Sequence, residues 1–209
     1  MNRLTFCCLS LSAVVAATSI AGEPRDSEYL ADQLAIQIVR ANQGFGSLGL
    51  NTAVVPSYRP GRKLQIGHVQ YDRGLGMHAQ GVVVVALDGE FVKFRAAVGI
   101  QWQTGTTPGS AVFQAFVDGE KRFDSGVMRE NTPIQQVDVA VKDADELRLV
   151  VTDAGDGIVS DVADWVNARL VRDAHAPQQS NRLGVNIAAF ARVVTSDPTR
   201  IEGTKATRV

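Results

Sequence analysis

Beyond its first eight residues this 209-residue chain has no cysteine, because Cys7 and Cys8 are the only two. Disulfides, a thiolate nucleophile and a cysteine metal site are therefore excluded from everything downstream. Histidine is almost as scarce: His68, His78 and His175 are scattered, which argues against a histidine-rich metal centre. There is no excess of one charge, with 21 Lys+Arg against 22 Asp+Glu and no basic block, so nucleic acid is not an expected partner. G-x-S-x-G, H-E-x-x-H and a phosphate-cradling glycine loop are all missing. Carboxylates are plentiful, yet nothing singles out the spaced pair that glycoside hydrolysis needs. No catalytic residue is assigned and the chain is not expected to be an enzyme, although a catalytic partner domain could lie outside it.

Hydrophobic residues make up 45% of the chain and charged residues 21%, ordinary values for a globular domain. Residues 1–21 read as a signal peptide. Arg3 supplies the positive start, Leu4–Ala17 an apolar stretch, and Ser19-Ile20-Ala21 a small-x-small cleavage site. The apolar stretch is short for a membrane span, and no later run is long enough to cross a bilayer. The cysteines precede most of the apolar stretch, the wrong order for a lipoprotein anchor. An exported chain is expected, placed extracellularly, in a periplasm or at a cell surface.

Three sections follow the leader. Residues 22–172 read as one β-domain, and residues 173–209 as a polar linker with an incomplete tail. The tail is too short to bury a core of its own, which suggests the front of a longer protein or a truncated product. Within the domain, Ser27–Ala41 fits either a helix or a strand. Leu64–Ile66, Val82–Leu87, Phe91–Val98, Val112–Val117, Arg122–Phe123, Val137–Val141, Leu147–Val151 and Trp165–Val171 read as short strands. Asp118-Gly119 is suited to a tight hairpin turn. Regular strands without intervening helices disfavour a parallel doubly wound sheet. The expected fold is all-β, an antiparallel jelly-roll β-sandwich.

Two stretches could carry chemistry. In Thr152–Leu170, four aspartates (Asp153, Asp156, Asp161, Asp164) fall within one loop that ends on Trp165. Asp153 and Asp156 are candidate calcium ligands, because loop carboxylates and carbonyls suit a hard cation. Their spacing is not that of an EF-hand, and an Asp-Gly turn is the competing reading. Asp161 and Asp164 could contact a ligand or bond the amides of their own loop. Trp165 could be a stacking platform or a core residue. In Tyr71–Ala79, two glycines imply a turn or a close backbone passage, and His78 follows before a buried strand. Arg73 is either a ligand contact or a solvated turn residue.

The order YDRGLGMHA, FVKFRAAVGI, AVFQAFVDGEKRFDSGVM and LRLVVTDAGDGIVSDVADWVNARL resembles the NPCBM domain. That family of carbohydrate-binding modules is related to carbohydrate-binding module family 51. The resemblance covers roughly Tyr29 to Arg172. Gly44-Phe45-Gly46 stands where the family often has glycine-tryptophan-glycine, and Val162 where it often has histidine. The resemblance implies a galactose-binding-like β-sandwich that binds glycans, commonly galactose-type, and is often attached to a glycoside hydrolase.

Sugar recognition needs an aromatic face for C–H groups and polar groups for hydroxyls. The candidate carbohydrate-binding residues are Arg73, His78, Trp102, Asp161, Asp164 and Trp165. The expected function is non-catalytic glycan recognition by loops at one end of the sandwich. The alternatives are a protein-interaction or envelope module without sugar binding, and the N-terminal accessory module of a glycoside hydrolase. Joining the two stretches in one site requires Asp161 or Asp164 to lie near His78.

Overall fold

The computed structural model describes residues 27–32, 38–103 and 109–173. The leader and tail expectations, and part of the Ser27–Ala41 stretch, lie outside the described residues. Thirteen strands run in order: β1 (Ser27–Tyr29), β2 (Ile38–Asn42), β3 (Gly49–Leu50), β4 (Leu64–Ile66), β5 (Val69–Tyr71), β6 (Gly74–His78), β7 (Gly81–Ala86), β8 (Phe91–Ile100), β9 (Ser110–Val117), β10 (Glu120–Arg129), β11 (Gln135–Ala140), β12 (Glu146–Thr152) and β13 (Val162–Arg172). No helix occurs among the described residues. One sheet runs β11-β8-β13-β6-β3, with β1 also on β13, and the other runs β10-β9-β12-β7-β2. A small β4-β5 hairpin forms its own ladder and packs on the first sheet, where Leu64 and Ile66 meet Ala97 and Val166. Neighbouring strands are antiparallel, and the expected all-β jelly-roll sandwich is what forms.

Alternation builds the core. In β12, Leu147, Leu149 and Val151 are buried while Glu146, Arg148 and Val150 are partly exposed. Phe113, Phe94 and Trp165 meet between the sheets, with Trp165 5.5 Å from Phe113 and 6.1 Å from Phe94. β13 would lose its inward face if it were regular. One extra residue between Val166 and Arg169 forms a bulge, and pairing with β8 resumes on its far side. Asn167 takes φ 53°, and Ala168 and Leu170 then return to the core. The expected Asp118-Gly119 turn joins β9 to β10, with φ 47° and 83° as such a tight hairpin requires.

The largest departure from expectation is β6. Its glycines suggest a turn, yet Gly74–His78 is a fully buried strand paired with β13 and β3. Close passage is the correct half of that reading. A Cβ on Gly76 would sit 2.3 Å from the Ala53 carbonyl carbon, so only glycine lets segment 52–54 cross the sheet there. β1, β2, β3 and β5 are also strands that the sequence pattern does not resolve, each at most five residues long.

Candidate functional site

The β6–β13 pairing joins the two stretches singled out from the sequence. Val162 is the register partner of His78, and the Ala79 amide donates to the Asp161 carbonyl at 3.1 Å. The required proximity of Asp161 and His78 is therefore present. Above this junction lies a depression of about 420 Å³. Its walls are Gly44 and Phe45 after β2, the 53–62 segment before β4, His78, Gln101 and Gln103 after β8, and Ile158–Ser160 with Val162.

The geometry is built from the backbone outward. A Cβ on Gly44 would lie 2.3 Å from the Ala79 carbonyl oxygen, so glycine permits the loop to rest on the end of β6. The Gln43 side chain then ties both segments, accepting from the His78 amide at 3.3 Å and donating to the Phe45 carbonyl at 3.0 Å. Phe45 is held with its ring 5.4 Å from the His78 ring, while remaining 42% exposed. Tyr58, 72% exposed, is a second aromatic on the wall, with the Arg59 guanidinium 5.7 Å from its ring. His78 is buried, and its Nδ1 lies 2.6 Å from the Ala79 carbonyl oxygen. A carbonyl can only accept, so Nδ1 carries a proton; in the neutral tautomer that leaves Nε2 as an acceptor.

The acidic loop supports this wall from behind. Asp161 is buried and its Oδ1 accepts from the Ser110 amide at 2.8 Å; Oδ2 is buried without a hydrogen-bond partner. Burial raises the Asp161 carboxyl above its ordinary range, against the Ser110 amide, and Asp156 and Asp153 add to the rise while His78 opposes it. Asp156 accepts the Ser110 hydroxyl at 2.7 and 2.9 Å. Asp153 accepts from the Gly155 amide at 3.2 Å and from Gln80 at 3.4 Å. Among the described residues no three His, Cys, Asp or Glu side chains converge as a metal site would need.

Three of the six candidate ligand residues stand elsewhere. Trp165 is fully buried in the aromatic core and presents no face to a ligand; its place on a central strand, pointing between the sheets, explains this. Asp164, one residue earlier, points to the opposite face of the same sheet and is also fully buried, between Gly76 and Gly99 in register. Burial pushes its carboxyl well above the usual range; the Gln65 amide nearby opposes the rise, but it donates to Gln101 Oε1 at 2.9 Å and leaves both Asp164 oxygens without a hydrogen bond. Arg73 flanks the far end of β6, about 16 Å along the strand from His78. There it pairs with Asp32 at 2.7 Å and covers the Tyr29 ring.

Trp102 falls between two lining residues but is not one itself, as alternation of an extended chain requires. It is half-buried, and its amide donates to the Gln65 carbonyl at 2.7 Å. The neighbouring residues 104–108 lie outside the described residues. Of the candidates, His78 lines the depression and Asp161 buttresses it. Phe45 and Tyr58 also line the depression and are not among the residues the sequence singles out. For Phe45 the signal was available, since its two flanking glycines mark an aromatic displayed on a tight loop.

The model of the NPCBM/NEW2 domain matches residues 27–171. The chain belongs to the NPCBM/NEW2 family. Among solved structures, the CBM51 module of a Clostridium perfringens GH95 protein, determined with methyl-galactose, is 30% identical with a TM-score of 0.62, covering 69% of this chain and 99% of that one. The Clostridium perfringens ZmpB structure with an M60 catalytic domain and two CBM51 domains is 34% identical with a TM-score of 0.63, covering 70% of this chain and 15% of that one. A ZmpB structure of CBM51-2 in complex with GlcNAc is 27% identical with a TM-score of 0.62, over 70% and 31%. A Renibacterium salmoninarum protein named "Putative endo-alpha-N-acetylgalactosaminidase" is 30% identical over 114 residues, 54% of this chain. The matched stretch is 8% of that relative's length. The NPCBM/NEW2 match and the CBM51 neighbours make the described sandwich a carbohydrate-binding module.

Proposed function

We propose that this module binds glycans in the depression formed by Phe45, Tyr58 and His78, with a galactose-type sugar as the first ligand to test. The carrying observation is the exposed Phe45 ring set beside a histidine whose Nδ1 is already committed to a carbonyl. An aromatic face takes the C–H side of a pyranose, and a neutral Nε2 accepts from a hydroxyl. Gln101 and Gln103 add amide groups to the same wall, although Gln101 already donates to Lys63 and Trp102 carbonyls and Gln103 to Ser160. Support for the sugar class comes from the neighbour determined with methyl-galactose.

A module of this kind does no chemistry on the sugar; it holds a protein on its substrate. The enzyme-sized relatives support the reading that this chain serves as the accessory module of a larger glycan-acting enzyme. The positive start, apolar stretch and small-x-small site of residues 1–21 are what support its export. The test is isothermal titration of the chain with methyl-galactose and with N-acetylglucosamine, with and without calcium, repeated on Phe45→Ala and His78→Ala. Binding to methyl-galactose that both variants weaken about tenfold or more is expected, from the loss of one stacking or hydrogen-bonding partner. Absence of binding to either sugar under every condition would sink the reading.

A further inference from the structure

The depression is aromatic, but its charge is one-sided. Arg59 and Arg62 both line it, both are exposed, and its lining contains no aspartate or glutamate. Some described cations elsewhere are neutralised, such as Arg73 by Asp32 and Arg172 by Glu28 and Glu90, while others, such as Arg40 and Arg129, are not; what sets Arg59 and Arg62 apart is that both line one depression. Among the described residues neither Arg59 nor Arg62 joins an ion pair. The carboxylates nearest the His78 wall are turned away. Asp161 lies behind it on the Ser110 amide, and Asp156 holds the Ser110 hydroxyl.

A site for neutral sugars gains from carboxylates, which accept from adjacent hydroxyls. A site with two free guanidiniums and no carboxylate is instead complementary to an anion, because a guanidinium offers a planar fork of donors that matches carboxylate or sulfate oxygens. The placement also suits a sugar already stacked in the depression. Arg59 sits over the Tyr58 ring, so its guanidinium is offered beside an aromatic face.

We infer that the ligand is an anionic glycan, whose ring rests on Phe45 or Tyr58 while its negative substituent is held by Arg59 and Arg62. The inference rests on the glycan-binding reading of this depression and narrows it. Two chemistries supply such a substituent, the carboxylate of a uronic acid and a sulfate ester. Galacturonic acid, galactose 6-sulfate and methyl-galactose serve as probes in parallel titrations, with the wild-type chain and an Arg59→Ala, Arg62→Ala double variant.

At least one anionic probe is expected to bind about tenfold more tightly than methyl-galactose, as charge-assisted pairs outweigh neutral ones. That preference should shrink as ionic strength rises from about 0.05 to about 0.5 M. It should vanish in the double variant while methyl-galactose affinity stays within about twofold. Tighter binding of one anion than the other identifies the substituent. Equal affinity for all three probes, or loss of methyl-galactose binding in the double variant, overturns the inference and leaves the glycan site standing. No binding of any probe by the wild-type chain overturns both. Both arginines are exposed, so unchanged thermal unfolding of the double variant verifies that folding is not the cause.

Discussion

Two groups of aromatic side chains divide this molecule. Trp165, Phe94 and Phe113 are sealed between the sheets, each at most 2% exposed. Phe45 and Tyr58 stand on loops at one end, 42% and 72% exposed. The first group has the stronger sequence signature, since Trp165 ends an acidic loop and follows an aspartate. It is nonetheless the second group that a ligand can reach. The ring type does not decide the role. A residue on a central strand facing the other sheet is committed to packing, whereas one on a loop braced by Gln43 and Gly44 is free on one side.

The comparison can be broken first at its strongest point. Trp165→Ala should cost about 3–5 kcal/mol of stability or prevent folding, because it removes the largest core side chain. Chemical denaturation measures this, and any loss of sugar binding should track unfolding. Phe45→Ala should do the reverse, with stability changed by less than about 1 kcal/mol and affinity for a bound sugar reduced about tenfold. Should Trp165→Ala stay folded while losing only affinity, the division would be wrong.

Asp164 offers a smaller and pH-dependent effect. Burial keeps its folded-state pKa well above the ordinary value, so the folded chain retains a proton that the unfolded chain releases above about pH 4. Stability linked to Asp164 is therefore greatest below that pH and falls as pH rises toward the folded pKa. Asp164→Asn removes this fall. Its stability relative to the parent should grow between about pH 4 and pH 7, by about 1 kcal/mol or more, in thermal unfolding followed across that range. A gain that does not vary with pH would show that the carboxyl is ionised in the folded chain.

The smallest expected effect sharpens the comparison at the far end of β6. Arg73→Ala should leave glycan affinity within about twofold, because Arg73 is engaged with Asp32 and Tyr29 away from the depression. Its cost in stability should be below about 1 kcal/mol, as for other exposed ion pairs. Titration and thermal unfolding of this one variant check both statements.

Alternation made the long strands legible. β9, β11 and β12 carry apolar residues at every second position, which one buried face imposes. The Asp118-Gly119 turn was legible for a related reason, since few residues accept its positive φ values. β6 was not legible, because its glycines have no side chains with which to show a face. They serve Ala53 and Asp164, neighbours that only folding supplies.

The site divides along the same line. His78 and Asp161 were recognisable because their motifs are local, and antiparallel pairing of β6 with β13 brought them together. Asp164 and Trp165 were grouped with them by adjacency, but successive residues of a strand face opposite ways, so the fold buried one on each side of the sheet. By itself the sequence determined the all-β class, the family and the turn chemistry, which depend on local pattern. Only the tertiary structure decided which aromatics and cations share a surface. Phe45, Tyr58, Arg59 and His78 come from separate loops and a strand end, and their meeting depends on long-range pairing that no local pattern encodes.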